Sequence, residues 1–187
     1  MKKKNILALA IIIILLIALI VIIVLIINKK NNLNAESTDN QILKERVEQL
    51  VNNSYVIYYM LYGDVKLDDG KITLNNTTYR AINDELVVKT LEEYNSLLED
   101  TFTDIGLEKI LNNKEVNEYI EMNNTLFVKK IENPCQSITQ LNLTNLRFNG
   151  DDKEKVVTYG DINSSIYIYS VDGQWKLSST LNTCDAY

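Results

Sequence analysis

The pattern of apolar and polar positions sets the first stretch of the chain apart from the rest. From Ile6 to Ile27 no residue carries a polar side chain, and the run is flanked by Lys2, Lys3 and Lys4 before it and by Lys29 and Lys30 after it. A helix of this length measures about 33 Å, enough to cross a hydrocarbon core of roughly 30 Å. A cleaved signal peptide has a shorter apolar region and ends in a small-residue cleavage site. The polar stretch that follows offers only Leu33-x-Ala35 in that role. The run therefore predicts an uncleaved transmembrane helix over 6–27, a signal anchor, with a long, late-cleaved signal as the alternative. The excess of positive charge before the run places residues 1–5 inside as a short cytoplasmic tail and everything after the run outside. Residues 28–39 are polar and patternless, and read as a linker.

Beyond the linker the spacing turns helical. Thr38-Asp39-Asn40-Gln41 has the form of a capping box. Leu43, Val47, Leu50, Ser54, Ile57, Tyr58 and Leu61 then recur at the helical period, and Gly63 supplies the stop. Tyr55, Tyr58, Tyr59 and Tyr62 are too crowded to share one stripe. Asp64 to Gly70 reads as an acidic, turn-rich loop. Lys71–Leu74 and Thr78–Ile82 alternate around an Asn-Asn-Thr turn and predict a hairpin. Thr90-Leu91-Glu92-Glu93 is a second capping box, opening a helix with Leu91, Tyr94, Leu97, Leu98 and Phe102 apolar. Thr103 caps a short third helix through Leu111, with Leu107 and Ile110 inward.

From there the period changes to two. Tyr119–Met122, Thr125–Ile131, Ile138–Phe148, Val156–Tyr159, Ile166–Val171 and Trp175–Ser179 are the strands it predicts. Asp172-Gly173 is the strongest hairpin turn and Asn149-Gly150 the next. Pro134, the only proline, interrupts the pattern between two strands. Helices first and antiparallel strands afterwards predict an α+β protein. It is an N-terminal transmembrane helix followed by one domain, residues 40–187, with helices packed on one face of a curved antiparallel sheet. No βαβ alternation occurs, which argues against a parallel nucleotide-binding sheet.

Charge sharpens the picture. After residue 30 the chain has 25 Asp and Glu against 14 Lys and Arg, a net of −11. An acidic surface disfavours nucleic acid, whose phosphates need a basic stripe. It suits a cationic protein partner or serves only solubility. Histidine is absent, which removes the commonest general base and metal ligand together. There is no G-x-S-x-G and no glycine-rich loop before a helix. The pairs Asp68-Asp69, Asp84-Glu85 and Asp151-Asp152 read as solvated turn acids. The expectation is a non-enzymatic protein with no metal and no cofactor. Arg80 reads as a structural ion-pair partner of Asp84.

Cys135 and Cys184 are the only cysteines and do not have a metal or redox spacing. Outside the membrane an even pair reads as a disulfide, with two unpaired buried thiols as the alternative. Closing a loop of that length contributes about 4 kcal/mol on the chain-entropy estimate.

Four segments carry a resemblance. YYMLYGD from Tyr58, TLNNTTYRAINDEL from Thr73, KTLEEYNSLLEDTFTD from Lys89 and DGQWKLSS from Asp172 stand in an order similar to that of the IseA family of D,L-endopeptidase inhibitors. The resemblance covers about a third of the chain. It leaves the anchor, the two cysteines and residues Asn112 to Phe148 without a counterpart. It implies a protein of the bacterial cell wall that binds cysteine-type peptidoglycan endopeptidases and blocks their cleft. It carries Tyr58, Tyr59, Gly63, Tyr79, Arg80, Asp84 and Trp175 over as matching positions, mostly fold determinants, with Asp84 reaching the partner.

An inhibitor without chemistry works by filling a groove, through a few desolvated anchors and complementary charge. On that basis Asp64, Asp68, Asp69, Asp84 and Glu85 form an acidic patch for a basic hydrolase surface, and Tyr59 or Tyr62 supplies the aromatic anchor. Two other classes remain open. One is a membrane-anchored interaction or assembly module of the envelope. The other is a small-ligand-binding, cone-shaped domain, with Tyr167, Tyr169 and Trp175 lining its pocket.

Overall fold

The structure, a computed structural model, describes residues 22–23, 39–111, 115–141, 143–160 and 164–181. Of the apolar run only Ile22 and Ile23 are among them, helical and about half exposed. The remainder of the expected membrane span, Thr38 of the first capping box and Cys184 lie outside the described residues. No helix among the described residues is long and apolar enough to cross a membrane. The chain divides into two units, Met1–Glu45 and Arg46–Tyr187. In the first, the opening turns of helix α1 (residues 39–62) carry a bond from the Gln41 amide to Glu45 at 3.0 Å.

In the second unit α1 continues to Tyr62 and buries one face. Val47, Leu50, Val51, Ser54, Ile57, Tyr58, Leu61 and Tyr62 are all interior, the stripe that a 3.6-residue period gives. Gly63 ends the helix, but not through a left-handed cap. A Cβ there would stand 2.4 Å from the Tyr59 ring and 2.6 Å from its carbonyl oxygen, so glycine is required by close approach.

The strands form two four-stranded antiparallel sheets, where one curved sheet was expected. The first has the order β1-β2-β4-β3, from β1 (Leu67–Leu74), β2 (Thr77–Ile82), β3 (Glu118–Met122) and β4 (Thr125–Lys129). The second has the order β5-β6-β7-β8, from β5 (Arg147–Gly150), β6 (Glu154–Tyr159), β7 (Ser164–Val171) and β8 (Gln174–Leu177). Three hairpins turn on paired positive-φ residues: Asn75-Asn76, Asn123-Asn124 and Asp172-Gly173. Their twist matches that of the flanking strands.

Helix α2 (Leu91–Thr101) joins the two sheets. Its capping box is complete, with Thr90 Oγ1 accepting from Glu93 N and the Glu93 carboxylate reaching back to Thr90 N. At this end Leu91 N donates to Glu121 of β3 at 2.9 Å, a carboxylate placed where the helix dipole favours it. Tyr94 packs on Tyr119 of β3, ring centroids 5.5 Å apart. At the far end Phe102 bridges to Leu177 of β8, and Thr103 N donates to the Leu177 carbonyl at 2.8 Å. Helix α3 (Asp104–Leu111) follows, Thr103 Oγ1 accepting from Gly106 N. A Cβ on Gly106 would lie 2.9 Å from the Leu177 carbonyl, so α3 sits hard against the end of β8.

Three local expectations are corrected. Residues 67–70 belong to β1, although the acidic stretch Asp64–Gly70 reads as loop. The strand expected over Ile138–Phe148 begins only at Arg147. Its leucines and isoleucine fall at irregular intervals, and they are half-buried without a strict alternation. Asn149 and Gly150 lie within β5, and the chain reverses just after them. There Asp151 accepts from Lys153 N at 2.8 Å and Glu154 N at 3.0 Å, making the turn itself.

Candidate functional site

Two of the segments that carry the resemblance, the one that ends α1 and the one that holds Asp84, meet near the C-terminus of α1. The last carbonyls of a helix need partners from outside it. Here Asn117, 2 % exposed, supplies several. Its side-chain amide donates to Met60 O at 2.8 Å and Gly63 O at 3.1 Å, and its backbone N–H to Leu61 O at 2.8 Å. Its side-chain oxygen Oδ1 accepts from Ile131 N at 3.0 Å. Tyr119 adds a bond to Met60 O at 2.6 Å, and Cys135 N donates to Tyr62 O at 2.6 Å. Cys135 is disulfide-bonded.

Asp84 follows β2 and turns its carboxylate inward, leaving the residue 2 % exposed. One oxygen accepts from Tyr59 Oη at 2.7 Å and from Lys66 N at 3.0 Å, and the other from Leu86 N at 3.1 Å. Burial pushes this carboxyl up, but the bonds from Lys66 N, Tyr59 and Leu86 N together hold it below the usual carboxylate value. Burial first, and then the bond to Asp84, holds the Tyr59 hydroxyl well above the ordinary phenol range. The phenol therefore stays protonated and donates. Asp84 is thus a structural fastener tying α1 to the segments on either side of the β1–β2 hairpin, and not the surface acid that the sequence suggests.

Tyr62 is likewise interior, 7 % exposed. Its ring lies 4.7 Å from that of Tyr58, and its hydroxyl donates to Ile110 O at the end of α3 at 2.8 Å. Neither Tyr62 nor the hydroxyl of Tyr59 is free to anchor a partner. Arg80 is exposed and donates to the Asp68 carbonyl at 2.9 Å, so the ion pair expected with Asp84 is not formed.

The other predicted acids are at the surface. Asp64, Asp68, Asp69 and Glu85 are all exposed. Asp64 pairs with Lys130. Asp68 and Asp69 stand on β1, the edge strand of the first sheet, where its register with β2 breaks between Leu67 and Lys71. A bulge of this kind bends an edge away from straight pairing and re-aims its side chains. It is stabilised locally by Asp69 N donating to the Asp68 carboxylate at 2.7 Å. Among the described residues no cation lies within ion-pair distance of Asp68, Asp69 or Glu85. What this edge offers chemically is exposed carboxylates that make no ion pair among the described residues, on a strand paired on one side only.

Sequence reasoning missed Asn117 and Arg46. Arg46 of α1 grips the Asp100 carboxylate with two nitrogens, at 2.9 and 3.1 Å, and reaches the carbonyls of Asp100 at 2.8 Å and Trp175 at 3.1 Å. Nothing in the order of residues pairs these positions. Trp175 is half-buried with the Lys155 ammonium 5.4 Å from its ring centre, Tyr167 is exposed, and Tyr169 is half-buried on the second sheet. These three aromatics therefore do not make up a shared interior lining. No family model matches the chain, and no curated protein gives a significant match.

Proposed function

We propose that the chain is a single-pass, membrane-anchored protein of the bacterial envelope, its N-terminus inside and its domain outside, that binds and inhibits peptidoglycan D,L-endopeptidases. The observation that carries this reading is the acidic edge of the first sheet. Asp68 and Asp69 on the bulge, with Glu85, present exposed carboxylates that make no ion pair among the described residues, in a chain of net charge −6. Such a surface suits the basic rim of a hydrolase groove, and complementary charge governs both encounter and register. The resemblance to the IseA family supports the choice of partner. Two of the segments that carry it interlock through the Tyr59–Asp84 bond, and Gly63 packs against Tyr59. In this reading those residues hold the edge in place, and the exposed acids meet the partner. A Cys135–Cys184 disulfide ties the tail of the domain to its middle.

The test is the rate at which a cysteine-type endopeptidase releases peptide from purified peptidoglycan, with and without the full-length protein. A dose-dependent fall in rate supports the proposal. An unchanged rate at saturating protein overturns it.

A further inference from the structure

A second feature points to a ligand. A cleft of about 620 Å³ opens between α3 and the end of the second sheet where β7 and β8 meet. That size lies within the usual range for small-molecule sites, roughly 300–1,000 Å³. Three lysines border it from three different elements: Lys109 of α3, Lys153 of the β5–β6 turn and Lys176 of β8. Among the described residues none of their ammonium groups has a carboxylate within ion-pair distance. Asp104, in the first turn of α3, is an acid at the border. Three unpaired cations around one depression stand out in a chain whose overall charge is −6.

Part of the lining is apolar. Ile105 is 63 % exposed and Val171 37 %, both lining this cleft. Tyr169 is paired in register with Lys176, so ring and ammonium share one face of the sheet. The Tyr169 hydroxyl is held by Glu154 at 3.2 Å. A phosphate polyanion would use the charge and leave Ile105 and Val171 wet. A purely apolar ligand would strand the cations.

We propose that this cleft binds a short anionic peptide, its carboxylates held by Lys109, Lys153 and Lys176 and an apolar side chain seated on Ile105 and Val171. Lysine ammoniums form charge-assisted bonds to carboxylates, and the exposed aliphatic groups give the site its preference for a peptide over a bare anion. The site is independent of the inhibitor reading, because none of its residues belongs to the β1 edge.

Calorimetric titration of the full-length protein tests it, with acetylated tripeptides Glu-Ala-X (X being Ala, Val or Leu) and their C-terminal amides as probes. The expected result is saturable binding of the free acids, weakened about tenfold or more by amidation and by the double variant Lys109→Gln/Lys176→Gln. Both lysines reach solvent, so the variant keeps the fold, which near-ultraviolet circular dichroism checks. Three results overturn the proposal: no saturation at millimolar peptide, equal affinity in the double variant, or inorganic polyphosphate displacing the peptide at equal concentration. The last would make the cleft a site for phosphate polyanions.

Discussion

The hydroxyl of Tyr59 donates to the carboxylate of Asp84 at 2.7 Å, joining the last turns of α1 to the strand exit of β2. The bond is charge-assisted and shielded, and it leaves the two backbone N–H groups of Lys66 and Leu86 to complete the carboxylate. Removing one partner of such a group costs more than the bond itself, since the remaining polar atoms stay buried. Tyr59→Phe is expected to lower unfolding free energy by about 1–2 kcal/mol. Asp84→Asn should cost about 2–3 kcal/mol, because an amide NH₂ would face donors where an oxygen now accepts. Urea denaturation of both variants measures this.

The same carboxylate sets an acid limit. Its folded value lies below the unfolded one, so its contribution is fully present above the unfolded aspartate value of about 3.9. That contribution is lost as pH falls through the lower folded value. Thermal midpoints recorded on acidification should drop more steeply below about pH 4 in the parent protein than in Asp84→Asn. Parallel curves would mean that another group controls the acid transition.

Arg46 holds α1, α2 and β8 together through a planar fork that lysine cannot reproduce. Asp100 is partly exposed, which discounts the ion pair itself. The bonds to the Asp100 and Trp175 carbonyls remain, so Arg46→Lys should destabilise by about 1–2 kcal/mol. In a double-mutant cycle with Asp100→Ala, the coupling should be favourable and well above zero.

Thr101 is fully buried at the end of α2, and its hydroxyl has no hydrogen-bond partner among the described residues. An unpaired buried hydroxyl costs stability that an apolar group of the same shape does not. Thr101→Val is expected to raise the unfolding free energy by about 1 kcal/mol, read as a higher thermal midpoint. A lower midpoint would mean that the hydroxyl has a partner in solution.

Local patterns in the sequence carry much of this fold. The stripe from Val47 to Leu61, the capping box at Thr90 and the turn at Asp172-Gly173 each depend on neighbours in the chain, so spacing alone reveals them. The separation into two sheets depends on which hairpins pair, a long-range matter that local spacing does not carry; α2 meets Glu121 of one sheet near its start and Leu177 of the other just past its end. Asp84 illustrates the limit most clearly. An acid beside Glu85 after a strand looks solvated, and only the fold brings Tyr59 and two backbone N–H groups around it. Asn117 is similar: a lone Asn in a polar stretch gives no sign that it closes a helix. Surface exposure was therefore legible at Asp64, Asp68, Asp69 and Glu85, where it is the default for an acid. It was not legible at Asp84 and Tyr62, where packing overrides that default.

The acidic edge of the first sheet is the center of the functional account, and charge reversal there tests it most directly. The measurement is the affinity of the full-length protein for a cysteine-type peptidoglycan endopeptidase, compared with that of Asp68→Lys/Asp69→Lys/Glu85→Lys at low and high salt. All three positions are exposed, so the variant should keep its fold. The expected result is salt-sensitive binding by the parent protein and at least about a tenfold loss in the variant. Equal affinity in the two proteins, unaffected by salt, would contradict the account.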